Sequence, residues 1–184
     1  MPYIGYSDVE ALLRDYRSLK SLLYNHQIEL QRIWRDPQNS DINENDILYS
    51  LTIGNKVLSD MPHITRSPGD KEISIIDRKD KMIQGEIRDK IQTINTIGEV
   101  IEKLESAMRS LSLEKQAIIT DFYFEGWTWG EIAGKMASER DALRDRRKDA
   151  IRQIVSIIRV TKEQFAFCVN KLEEGRERDR QTNS

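Results

Sequence analysis

Positions Val9, Leu12, Tyr16, Leu19, Leu23, His26, Leu30 and Ile33 follow one another at alternating spacings of three and four. Such a seam is satisfied by a helix lying lengthwise against a partner helix, and this constrains the N-terminal half more than any other feature. A second seam runs through Ile83, Ile87, Ile94, Ile97, Ile101, Leu104 and Met108. Lys90 interrupts it, and Ile91 beside it offers a local shift of contact. The spacing predicts helices over about residues 7–35 and 77–110. Ser7 with Glu10 supplies a Ser-x-x-Glu start for the first, and Pro37 stops it. Between them lie a polar loop, a short apolar-periodic helix at about 47–58 broken by Gly54, and a connection with a Pro68-Gly69 turn. Two arrangements satisfy the periodicity: the seams fold back on each other as a hairpin, or they pair with those of a second copy in a homodimer.

Composition limits what such helices can serve. A third of the 184 residues are charged, with both signs mixed and a net charge of −2, so any attraction to nucleic acid must come from a local patch. Cys168 is the only cysteine, which excludes an internal disulfide and a cysteine-based zinc site and points to a reducing compartment. It reads as a buried spectator thiol. His26 sits on the first seam as a packed histidine, and His63 lies in a loop with no carboxylate or cysteine cluster spaced for a metal. No apolar run approaches the ~20 residues of a membrane helix, and the first residues lack the basic start and apolar stretch of a signal peptide. The expectation is a cytoplasmic protein without a membrane contact, metal or cofactor. Paired carboxylates in a cleft, a nucleophile with a histidine partner and a phosphate-cradling glycine loop are all missing, so an enzyme is not expected.

Three shorter helices follow the second seam. Ser112 offers a start for an apolar-rich helix over about 116–124, which Gly126 ends. Thr128 and Glu131 form a capping box that opens a helix through Ile132, Ala133 and Met136. Ser138 and Asp141 begin the next, with the core stripe Leu143, Ala150, Ile151, Ile154 and Ile158. Two capped helices joined by a tight turn, the first short and the second longer and basic, outline a helix-turn-helix. Ala133 and Ala137 are small enough to let the two helices cross closely. Away from the core stripe the second helix carries Asp141, Arg144, Asp145, Lys148 and Arg152, and Arg140 lies in its first turn. From Arg140 to Arg152 six basic residues stand against three acidic ones. A plain surface helix gives the same pattern when Asp141, Asp145 and Asp149 pair with Arg144, Lys148 and Arg152. Trp127 and Trp129 flank Thr128 and are expected to pack between helices; an exposed one would suggest a protein contact. A helix around Gln164 to Leu172 follows, and the polar end EGRERDRQTNS is expected to fray.

The stretch EKQAIITDFYFEGWTWGEIAGKMASERDALRDRRKDAIRQI resembles region four of bacterial sigma factors, the part that reads the promoter's minus-35 element. Thr128, Glu131, Ile132 and Ala133 match that family's first segment; Arg140, Asp141, Leu143 and Arg144 match its second; Ala150 and Ile151 follow without a gap. Ala137 stands where the family has a turn glycine, Ser138 where it has an apolar turn residue, and Glu139 where Ser or Thr is common. The resemblance implies that Arg140, Asp141 and Arg144 read bases, with Lys135, Ser138, Arg147 and Lys148 on the DNA backbone. The layout, a helical N-terminal half before a sigma-like helix-turn-helix, resembles the ArpU/RinA-type phage and prophage activators of late genes. It implies a transcription regulator that binds double-stranded DNA and works with bacterial RNA polymerase. The alternative is a phage DNA-packaging subunit of the small terminase kind. The fold expected is all-α: an elongated N-terminal helical hairpin over 1–110, a helix-turn-helix domain over 111–160, and a C-terminal helix with a disordered tail over 161–184.

Overall fold

Gly5 and Asp8, not Ser7 and Glu10, start the first helix. In the computed structural model, which describes residues 2–35 and 71–182, the Gly5 N–H donates to the Asp8 carboxylate at 2.8 Å and helix α1 runs Tyr6–Arg35. Glu10 matches the capping pattern in sequence, but its carboxylate is taken by residues distant in the chain, as described below. Helix α2 spans Lys71–Arg109 and begins earlier than about 77. The expected helix at about 47–58, the loops around it and His63 lie outside the described residues, as does the side chain of Ile83. Four further helices follow: α3 at Leu113–Ile119, widening into a π-helical turn over Thr120–Phe124, α4 at Trp129–Met136, α5 at Arg140–Ile157 and α6 at Lys162–Thr182. The described residues are all-α, with no strand among them and no helix long and apolar enough to cross a membrane.

The chain divides into two compact units, Leu23–Asn95 on the one hand and Met1–Leu22 with Thr96–Ser184 on the other. In the first, the α1 and α2 seams meet each other: Leu30 packs with Ile87, Ile91 and Ile94, and Leu23 and Ile33 close over them. The apparent fault at Lys90 is resolved locally. Ile91 takes the buried place, while the Lys90 side chain, only 15% exposed, carries its ammonium to Glu29 at 2.6 Å. The apolar stem stays in the seam and the charge reaches a partner. His26 is buried in the same seam with Nδ1 3.7 Å from Glu29, the packed histidine expected of it.

The second unit buries Val9, Leu12, Leu13 and Leu19 of α1 with Ile97, Val100, Ile101 and Leu104 of α2. Its first residues close it: Ile4 N–H donates to Val160 C=O and Lys162 N–H to Pro2 C=O, each at 3.1 Å. Helix α6 opens on a capping box, Thr161 with Gln164, and buries Cys168 and Leu172. Burial pushes the Cys168 thiol up to about 11, so the neutral form is held at physiological pH, as a spectator requires. The polar end expected to fray instead continues as helix to Thr182, tied back by the Arg176–Asp15 ion pair at 2.9 Å.

Candidate nucleic-acid interface

Local hydrogen bonds of the kind visible in sequence lay out this part of the chain. The Ser112 hydroxyl accepts from the Lys115 N–H and starts α3. The π-helical turn then moves the exit sideways: the Glu125 N–H reaches the Thr120 carbonyl and the Trp127 N–H reaches that of Asp121, both at 2.9 Å. Gly126 takes a φ of +71° to make this reversal, a region where a side chain would be strained. Thr128 follows with both halves of its capping box formed, its own N–H donating to Glu131 at 2.7 Å. These hydrogen bonds hold the Glu131 carboxyl below its usual range.

Helix α4 packs Ile132 against Ile118 of α3 and Leu143 of α5, all fully buried, with Phe122, Trp129, Ala133 and Met136 around them. Trp129 stacks on Phe122 at 4.5 Å between centroids and so takes the core role expected of it. Trp127 does not: it is 36% exposed, with the Lys135 ammonium over its ring at 4.6 Å. Ala133 supplies the close crossing, whereas Ala137 serves as the turn itself, with φ 47° and ψ 45°. A non-glycine residue there loses about 1 kcal/mol or more, partly offset by its smaller chain entropy when unfolded. Ala137→Gly is therefore expected to raise stability by roughly 0.5 to 1 kcal/mol. Urea unfolding measures it, and a lowered midpoint contradicts the reading of this turn.

Ser138 was expected to cap α5, but the N-cap is Glu139, whose side chain makes no capping bond. The Ser138 hydroxyl instead accepts from Arg146 at 3.1 Å, and Arg146 also reaches Glu114 at 2.7 Å. Arg146 thus joins the half-buried turn residue and Glu114 of α3.

The seven residues singled out in sequence fall into two groups. Arg140, Asp141, Arg144 and Lys148 are exposed on one side of α5. Asp141 and Arg144, 87% and 50% exposed, meet at 2.8 Å, and Lys148 meets Asp145 at 3.0 Å. Asp149 turns to Lys115 on α3 instead of to Arg152, and this pairing lowers its pKa. The Arg140 guanidinium lies beside Gly130, where an added Cβ would come within 3.3 Å of Nη2.

Arg147, Lys135 and Ser138 form the other group, already engaged within the protein. The Lys135 ammonium straddles both oxygens of the buried Asp121 carboxylate at 2.8 and 2.9 Å. Arg147, 17% exposed, donates to Glu10 at 3.1 Å and to the Tyr123 hydroxyl at 3.0 Å. Arg147, expected on the DNA backbone, is thus turned to partners inside the protein. A signal for this was present in sequence: Leu143, Arg147, Ala150 and Ile154 fall at spacings of four, three and four, placing Arg147 on the core face. Glu10 and Tyr123 carried no such signal. Burial drives the Tyr123 phenol far above its ordinary value despite the neighbouring guanidinium, so it stays protonated and donates to Glu10.

Among the described residues no group of histidine, cysteine and carboxylate side chains is placed to hold a metal. Comparison with family models, with curated proteins and with solved structures finds no match to this chain.

Proposed function

We propose that this chain is a sequence-specific DNA-binding transcription regulator whose reading element is α5. The observation that carries the proposal is the pairing of a short capped helix with a longer one across a three-residue turn, the longer helix projecting Arg140, Asp141 and Arg144 into solvent from its first two turns. A helix of about 10 to 12 Å diameter fits the major groove, and the N-terminal turns of the second helix are the ones that reach base edges. Arginine pairs bidentately with guanine, and an aspartate accepts from cytosine N4. The Asp141–Arg144 pair does not oppose this. Exposed pairs of this kind contribute about 0 to 1 kcal/mol, so freeing Arg144 for a base costs little.

Lys148, exposed beside the reading residues, takes a phosphate in this account, whereas Lys135, Ser138 and Arg147 keep the helices in place. The seam residues of α1 and α2 are satisfied by each other within one chain, so the proposal does not pair copies through them. A single helix-turn-helix binds weakly, and the second contact is assigned to bacterial RNA polymerase, with the exposed Trp127 as the anchor on this side. The layout, a helical N-terminal half before a sigma-like helix-turn-helix, supports reading this regulator as a phage or prophage activator.

Enrichment of duplexes from a random-sequence library by the full chain tests the proposal. A recurring motif is expected, bound with an affinity that falls steeply as salt rises. A recovered pool no different from the input removes sequence reading from the account.

A further inference from the structure

The six basic residues of α5 do not behave alike. Five have side chains that are exposed or nearly half exposed, while that of Arg147 is the most covered, at 17% exposed. Its Nε is buried without a hydrogen-bond partner, and its Nη1 donates to Glu10 at 3.1 Å and to the Tyr123 hydroxyl at 3.0 Å. Glu10 in turn accepts from Tyr123 at 3.1 Å and from Arg14 at 3.0 Å. The same guanidinium lies over aromatic rings, 5.3 Å from the centroid of Phe122 and 5.8 Å from that of Trp129. Trp129 stacks on Phe122, and the guanidinium of Arg144 lies 6.0 Å from the Trp129 ring.

We propose that Glu10, on the first helix, is a positioning residue of the DNA-reading surface, acting through Arg147 and Trp129 on the direction of Arg144. The inference rests on the DNA-binding reading of α5 and adds to it a residue more than a hundred positions away in sequence. Without the Glu10 carboxylate, the largely covered Arg147 cation loses its ion-pair partner, and turning toward water relieves the cost of a desolvated charge. Its departure withdraws a cation from the Trp129 and Phe122 rings and loosens the platform on which Arg144 lies. Glu10 touches no DNA in this scheme, so it governs which base is preferred and leaves the number of phosphate contacts unchanged.

The full chain and its Glu10→Ala and Glu10→Gln variants test this with two readouts. The first needs no DNA: the indole N–H resonance of Trp129 and the side-chain N–H resonance of Arg144. Both are expected to move in Glu10→Ala and to move less in Glu10→Gln, which keeps an accepting oxygen for Arg147. The second is the ratio of affinities for a duplex enriched by the wild-type chain and an unselected duplex of the same length. Glu10→Ala is expected to lower that ratio about five- to tenfold, with the salt dependence of binding unchanged. In combination with Arg144→Ala it is expected to lower the ratio by less than the product of the single effects. Unmoved Trp129 and Arg144 resonances in folded Glu10→Ala protein, or moved resonances with an unchanged ratio, overturn the inference. If Glu10→Ala does not fold, Glu10→Gln decides it on the same two readouts. A wild-type chain that enriches no duplex overturns the DNA-binding reading itself, and the role given to Glu10 falls with it, whatever the resonances do.

Discussion

Leu143→Ala is expected to destabilise the unit that holds α3, α4 and α5 by about 2 to 5 kcal/mol, the range for emptying a leucine site in a closed core. Leu143 is fully buried and is the contribution of α5 to the cluster with Ile118 and Ile132, so the cavity opens where three helices meet. Neither neighbour can fill it easily. Ile132 is fixed by a short helix capped at Thr128, and Ile118 lies one residue before the end of α3, at the edge of the π-helical turn. For domains whose whole stability is about 5 to 15 kcal/mol, this is a large fraction. Ala142→Ser, one position earlier and exposed, serves as the control, with an expected change within about 0.5 kcal/mol. Denaturant unfolding followed through Trp129 reads both. Equal midpoints for the two variants would show that the cluster does not hold these helices together.

Arg144→Ala is expected to weaken binding to an enriched duplex by about 1 to 3 kcal/mol and to leave binding to random DNA almost unchanged. A phosphate contact contributes to every duplex, whereas a bidentate contact to a guanine contributes only where that guanine is present. Because the Arg144 side chain is half exposed, pairs with an exposed aspartate and meets the Trp129 ring only at 6.0 Å, the substitution removes little from the fold, and the loss in binding is read without a stability correction. Competition binding at fixed salt measures it. Equal losses on both duplexes would assign Arg144 to the backbone; no loss on either would take it off the interface.

Local signals in the sequence were largely sound. Ser112 and the Thr128–Glu131 box rest on hydrogen bonds three residues apart, and the structure forms them. The seams were legible for the same reason, since burial at Leu12, Leu19, Leu30, Ile97 and Leu104 follows the helical period. Failures came where a distant partner overrode a local pattern. Ser7 and Glu10 read as a cap, yet Glu10 is held by Tyr123 and Arg147, and Gly5 with Asp8 starts the helix two residues earlier. Ser138 read as a cap for α5, yet Arg146 claims its hydroxyl. The charge of Arg147 suits a phosphate, yet its place on the core face turns it to Glu10 and Tyr123. The polar end of the chain read as frayed because composition does not reveal that Asp15 waits for Arg176.

What sequence could indicate only in outline was which side of α5 stays outside. That depends on how three elements share a core: Arg147 turns in with Leu143, Ala150 and Ile154, and this sets Arg140, Asp141, Arg144 and Lys148 outward. The left-handed turn at Ala137 and the π-helical exit from α3 fix the crossing of α4 and α5, and neither is encoded by hydrophobic period alone. The candidate site is therefore a product of side-chain packing, and its exposed residues lie on a helix whose inner face is closed by the protein itself.

The most direct measurement is a titration of isotope-labelled full-length protein with an enriched duplex, followed through backbone amide resonances. The largest shifts are expected between Ser138 and Lys148, centred on Arg140, Asp141 and Arg144, with α6 little affected. Shifts concentrated on α6 or on the α1 and α2 seams, with α5 unmoved at saturation, would contradict it.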